Sequence, residues 1–562
     1  MKATFTIGSL LILLSLIIPI SCSQGGQGTT ATFSNPVLHA DYSDPDVVRA
    51  GDDFYMVASS FNCVPGLPVL HSSDMVSWRL IGYALERLQP EEYYSEVRHG
   101  GGVWAPCIRY PNGEFLIYYP DPDRGIFMVK APDPAGPWSD PVTVMEGRGL
   151  IDPSPLWDDD GQAYLAYAFA GSRAGVKSVL MVTRMKPDGT GVYGDPVMVF
   201  DGHDDNPTVE GPKFYKRNGW YYIFAPAGGV THGWQLVLRS RSVFGPYEVR
   251  KVMHQGESDV NGPHQGAWVT DSSGSEWFIH FQDKGAYGRI VHLQPVRWID
   301  DWPVIGDDPD GDGTGEPVSA FRMPEGSKKQ AQGNLPGNES QSGNKTTLQA
   351  EDEFSNGITG LQAGDEFNAD KRGLQWQWHA NPSVTWGYPS EAYGCYRLNC
   401  ITRPDSMVNL WMVPNLFLQK LPAEEFNATA RVICTLRHDG EEAGMIVMGR
   451  DYQYISLKRT DGRLLLRVVR CVDADRGQPE ELLFSEETDS DAIFFGVKVT
   501  ARGRCIFSYS TDNKTYNEVG NPFTAREGVW TGAKVGFFAL RDGFTNDSGF
   551  ADLDWFRVNT GE

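Results

Sequence analysis

Asp152-Pro153-Ser154, followed shortly by Asp160-Gly161-Gln162-Ala163-Tyr164, is the middle copy of a theme that occurs five times in the first three hundred residues. The earlier copies are Ser43-Asp44-Pro45-Asp46 running into Gly51-Asp52-Asp53-Phe54-Tyr55, and Trp104-Ala105-Pro106 running into Asn112-Gly113-Glu114-Phe115. The later ones are Glu210-Gly211-Pro212 into Asn218-Gly219-Trp220-Tyr221-Tyr222, and His264-Gln265-Gly266-Ala267-Trp268 into Ser273-Gly274-Ser275-Glu276-Trp277-Phe278. A recurrence of roughly 45 to 60 residues, each with a turn between two strand-like runs, is the period of propeller blades. Equivalent positions of such blades converge on one axis. Asp44, Asp152 and Glu210 are therefore expected to meet in a small volume, where burial and like charge push their pKa values apart.

Outward from these copies, residues 33–325 read as short strands broken by Gly, Asp, Asn and Pro, with no sustained helical period. Residues 326–347, rich in Gln, Asn, Gly, Ser and Lys, lack the apolar side chains to pack and read as a linker. Residues 348–560 return to polar and apolar alternation, as in Phe494-Phe495-Gly496-Val497-Lys498-Val499, and suit a second β domain of sandwich type. The chain is thus expected to be all-β, a five-bladed propeller followed by a sandwich. Cys63, Cys107, Cys395, Cys400, Cys434, Cys471 and Cys505 show no metal spacing and read mostly as buried small hydrophobes, with one or two disulfides open in the C-terminal half.

The net charge of −23 and pI near 4.9 exclude an extended basic face for nucleic acid or an anionic membrane. Sixteen tryptophans supply flat apolar faces of the kind that suit sugar rings, although β cores use them too. Lys2 and the apolar run of residues 7–20 are too short to span a bilayer and match a secretory leader. Ser21-Cys22 at its end resembles a bacterial lipoprotein signal, which implies residues 1–22 as leader, Cys22 as the lipidated residue and residues 23–32 as a flexible tether. The expected location is an exported one, lipid-anchored in a bacterial outer membrane, otherwise periplasmic or secreted. The membrane would be met only through that anchor.

The motifs Asn35-Pro36-Val37-Leu38, Ser43-Asp44-Pro45-Asp46, His71-Ser72-Ser73-Asp74-Met75-Val76-Ser77-Trp78, Gly102-Val103-Trp104-Ala105-Pro106, Ile151-Asp152-Pro153-Ser154, Val209-Glu210-Gly211-Pro212 and Gly288-Arg289 occur in this order. Together they make the first domain resemble glycoside hydrolase family 43, the five-bladed propeller xylosidases and arabinofuranosidases. The second domain is similar to the concanavalin A-like sandwich (jelly roll) that follows many xylosidases of that family, on Val535-Gly536-Phe537 and Asp552-Leu553-Asp554-Trp555-Phe556. The resemblance implies Asp44 as general base, Glu210 as general acid, and Asp152 as the group that orients Glu210 and raises its pKa. It implies Arg289, Trp104 and Phe61 as substrate contacts, and His264 as an axial residue that holds a water or a calcium ion. It further implies that the segment of Val535-Gly536-Phe537 approaches the mouth of the site. An inverting hydrolase needs room for a water, so the two working carboxyls should stand about 6.5–9.5 Å apart.

The implied activity is exo-acting release of terminal pentoses from plant cell-wall polysaccharides or oligosaccharides, β-D-xylose first and α-L-arabinofuranose as the alternative. An endo-arabinanase and a non-catalytic glycan-binding lipoprotein are the other readings. Asn62-Cys63-Val64 stands where relatives carry further aromatics, which weakens the choice of sugar but not the chemistry. No cofactor is required. A structural calcium is left open at Asp308-Pro309-Asp310-Gly311-Asp312-Gly313-Thr314, whose spacing fits a calcium loop but whose twelfth position is Ser319 and not Glu.

Overall fold

The computed structural model describes residue 1 and residues 31–324, 361–404 and 407–560. The leader, Cys22, the tether and the linker lie outside the described residues. Five four-stranded antiparallel sheets follow one another over residues 46–85, 107–146, 150–201, 213–253 and 264–305, each an up-and-down meander in sequence order. They are the blades of a propeller. The first strand of the third blade, Leu150–Trp157, is almost wholly buried beside the axis, whereas its fourth, Val192–Asp201, faces water at the rim. The turns follow from their residues. Asn218 and Gly219 take φ of 50° and 72° between the paired Arg217 and Trp220, the two positive angles of a type I′ hairpin that Asn-Gly adopts most readily.

Each blade meets the next through its own apolar cluster. Between blades 1 and 2 these are Val57, Val69, Ile108, Ile117 and Val129. Between 2 and 3 they are Leu116, Tyr118, Ile126, Leu165 and Tyr167, and between 3 and 4 Ala166, Val182, Phe214 and Ile223. Tyr222, Phe224, Phe278 and Trp302 join 4 to 5, and Phe54, Met56, Leu70, Trp277 and Ile279 close 5 on 1. Each such side chain contributes about 1.5–3 kcal/mol when fully buried. Strand Thr32–Ser34 pairs with Ala320–Arg322, so both ends of the propeller segment are held together.

The C-terminal domain is a sandwich of an eight-stranded and a seven-stranded sheet. Its core holds Trp376 stacked on Phe417 at 4.7 Å, with Phe537 and Phe556. Val535 and Phe537 lie in this core and Gly536 packs against the Phe417 backbone, so these three residues are themselves taken up by the sandwich. All seven described cysteines are buried and unpaired, which removes the disulfides from the C-terminal half.

The two domains share a continuous interface. Tyr287 and Ile290 of the propeller belong to the sandwich core, and the Tyr287 hydroxyl donates to Glu424 O (2.8 Å) and accepts from Gly503 N (2.7 Å). Asn62-Cys63-Val64 is a docking seam. Asn62 Nδ2 donates to His379 O (2.7 Å), Cys63 Sγ lies 3.2 Å from Lys534 Nζ, and Val64 exchanges backbone hydrogen bonds with Trp378.

Candidate active site

A proline has no N–H to give to a strand ladder and weakens it locally. At Asp152-Pro153 the register between Leu150–Trp157 and its neighbour slips in a bulge from Ile151 to Ser154, and Asp152 is turned to φ 57°. Asp44, before Pro45, takes φ 55°, and Gln265, in the bulge between His264 and Gly266, takes φ 33°. Short polar residues tolerate this left-handed conformation better than most. The repeated turn thus aims one side chain per copy into the end of the axial channel. There a cavity of about 700 Å³ is lined by Asp44, Asp152, Glu210, Arg289, Phe61 and Trp104 among others.

Asp44 is held by two partners. Ser59 Oγ donates to its Oδ2 (2.5 Å), and Arg289 Nη1 stands 3.2 Å from Oδ1 and 3.4 Å from Oδ2. Arg289 is fixed in turn: its backbone N–H donates to Asp41 Oδ1 (2.9 Å), while its guanidinium lies 4.8 Å from the Phe281 ring centre and 5.8 Å from that of Trp530. The planar fork is suited to holding one carboxylate while keeping donors for a hydroxyl. The Asp44 side chain is 8% exposed, against 29% for Glu210. Asp44 is thus the deeper of these two carboxyls and Glu210 the more accessible.

Asp152 Oδ2 accepts from the backbone N–H of Gly211 (2.8 Å), directly after Glu210. Gly211 has φ 58°, and a Cβ there would come within 2.9 Å of Gln265, so only glycine lets this amide approach. Burial, then the charge of Glu210, push the Asp152 carboxyl up to about 8. At neutral pH the enclosed Asp152 carboxyl therefore holds its proton.

His264 Nε2 lies 3.3 Å from Glu210 Oε1, and its Nδ1 is buried without a partner. Calcium needs six to eight oxygens. Among the described residues, no group of three close His, Cys, Asp or Glu side chains includes His264, so any calcium there would have to draw its oxygens from carbonyls and water. Asp308, Asp310 and Asp312 do cluster, but each accepts a backbone N–H of its own loop and Asp308 is paired with Arg297 at 2.8 Å.

Trp104 is half-buried, with Nε1 donating to Gly100 O (2.9 Å), and meets Phe61 and Trp530 edge to face at 6.5 and 6.2 Å. Phe61 is only 3% exposed and takes φ 52°; it backs Trp104 more than it offers a face. Trp530 comes from the sandwich, is 50% exposed, and forms part of the pocket lining. It was not singled out in the sequence, although a tryptophan set in the turn Gly528-Val529-Trp530-Thr531-Gly532, off any strand alternation, is a signal that points to such a role. Ser59 and Asp41 carried no sequence signal.

Residues 33–303 match the family model of glycosyl hydrolases family 43, and residues 364–559 that of the beta xylosidase C-terminal concanavalin A-like domain. The chain is 37% identical over 512 residues, 91% of its length and 87% of the other, to a protein of Xylanibacter ruminicola named as a candidate beta-xylosidase. It is 29% identical over 558 residues, 93% of its length and 94% of the other, to a non-reducing end alpha-L-arabinofuranosidase of Bacteroides ovatus. Among solved structures, a family 43 protein of Bacillus licheniformis superposes with a TM-score of 0.76 at 25% identity, over 94% of this chain and 99% of that one. With the propeller, its three axial carboxyls and the sandwich in one chain, this protein belongs to glycosyl hydrolases family 43.

Proposed function

We propose that this glycoside hydrolase releases terminal pentoses from the non-reducing ends of plant cell-wall oligosaccharides or polysaccharides by single displacement, with β-D-xylose as the first substrate. The observation that carries the reading is the pocket itself, in which Asp44, Asp152 and Glu210 meet under a wall that includes Trp530 of the second domain. Such a cover suits a chain end better than the middle of a polymer.

Asp44, held by Ser59 and Arg289, takes a proton from the attacking water. Glu210, beside His264, gives a proton to the departing oxygen, and Asp152 shares and stores that proton. Attack on the face opposite the leaving group inverts the anomeric carbon. α-L-Arabinofuranosidase action is the second reading, favoured by the Bacteroides ovatus relative. The apolar run of residues 7–20 and Ser21-Cys22 support export and lipid anchoring as part of the proposal.

The test is turnover of nitrophenyl β-D-xyloside against nitrophenyl α-L-arabinofuranoside, with NMR of the first sugar released. Xyloside should be the better substrate by kcat/KM, and the product anomer should be opposite to that of the substrate. Retained configuration would break the single-displacement mechanism, and a preference for arabinoside would exchange the two readings.

A further inference from the structure

The charged side chains that line the pocket are Asp44, Asp152, Lys177, Glu210 and Arg289. Four of them are engaged: Arg289 with Asp44, Asp152 with Gly211, and Glu210 with His264. Lys177 is exposed at the rim, and among the described residues it has neither an ion pair nor a hydrogen bond. It is an uncommitted cation on a chain of net charge −23, where an anionic sugar would otherwise meet mostly repulsion.

The backbone gives Lys177 a definite side of the pocket. Ser178, at φ 61°, accepts the backbone N–H of Thr208 on its Oγ (2.8 Å) and that of Gly202 on its carbonyl (2.8 Å). Lys177 is therefore tied, through its neighbour Ser178, to the segment that carries Glu210. Its stem runs along Gly171, also in the lining: a Cβ added there would lie 3.3 Å from Lys177 Cβ and 3.4 Å from Cδ. If Glu210 protonates the leaving oxygen, this is the side on which the rest of the oligosaccharide lies.

We propose that Lys177 forms a subsite on the leaving-group side that takes the carboxylate of a uronic acid branch, so that uronate-bearing oligosaccharides are preferred over uncharged ones of the same shape. The inference rests on the assignment of Glu210 as the acid. A rim ammonium meeting a carboxylate in water is worth a modest factor, about two- to fivefold, weakened by salt.

The experiment compares kcat/KM for a uronate-branched xylo-oligosaccharide and its methyl ester, which differ in charge and hardly in shape. The acid should be preferred about two- to fivefold by the wild type and by Lys177→Arg, and the ratio should fall to one in Lys177→Met and in about 0.5 M salt. Equal values in the wild type, or a preference that survives Lys177→Met, would overturn the subsite. Calorimetric binding of the acid and the ester to Asp44→Asn, with and without Lys177→Met, repeats the comparison without turnover. Absence of pentoside hydrolysis with a charge-dependent, Lys177-dependent affinity would count against the proposed function and leave the subsite standing.

Discussion

On the proposed mechanism Glu210 and Asp152 divide one task between them. Asp152 is enclosed, bonded to the Gly211 amide and pushed up to about 8, so it keeps its proton at neutral pH, while Glu210 stands nearer to solvent. A sugar alkoxide leaves poorly without a proton, whereas nitrophenolate leaves readily. Glu210→Gln should therefore lower kcat on natural oligosaccharides about 10²- to 10⁴-fold and on aryl glycosides much less. The pH profile of the wild type on natural substrate should fall as pH rises through about 8, because the Asp152 proton then leaves. That basic limb should be missing from aryl-glycoside turnover by the variant. Equal losses on both substrates would assign the acid elsewhere. The carboxylates themselves stood out in the sequence, being copies of one repeated turn. Which of them carries the raised pKa did not, because it depends on burial that no local pattern encodes.

At the scale of elements, the turn of residues 528–532 carries the largest surprise. It is fastened by Gly528 N to Thr531 O (2.8 Å), by Ala533 N to Ala286 O (2.7 Å) and by Gly532 N to Asp41 Oδ2 (2.9 Å). Asp41 thus holds both Arg289 and the turn, and so links the partner of Asp44 to the cover. Trp530 sits at φ 63°, a conformation that costs a residue with a side chain on the order of 1–3 kcal/mol. Trp530→Gly should relieve that strain, leaving Tm unchanged or raised, while kcat/KM falls roughly two- to tenfold through loss of the aromatic face. A fall in Tm with unchanged kcat/KM would make the residue structural and not part of substrate recognition.

For the whole molecule, the interface reads as a shared core and not as two domains in contact. Tyr287 and Ile290 are buried among sandwich residues, Val64 pairs with Trp378, and the His99 ring stacks on Trp411 at 3.6 Å. Domains coupled this way unfold together. Calorimetry should give one transition for the wild type, and Tyr287→Ala, at a cost of about 3–5 kcal/mol for an emptied aromatic site, should lower it and split it in two. Two transitions in the wild type would mean that the cover over the pocket can loosen independently.

The blades, the turns and the three axial carboxyls were legible in the chain alone, because each depends on residues close together: an X-Pro turn, an Asn-Gly hairpin, an alternation of apolar side chains. The sequence also marked Asn62-Cys63-Val64 as a departure, without saying why. Only the tertiary structure turned that departure into a docking seam, gave Trp530 and Lys177 their places in the pocket wall, withdrew Val535-Gly536-Phe537 from it, and left the cysteines unpaired. These are contacts between residues up to several hundred positions apart, such as Asp41 with Gly532. Their energy belongs to the packed assembly, and no local period or turn in the chain records which distant surfaces will meet.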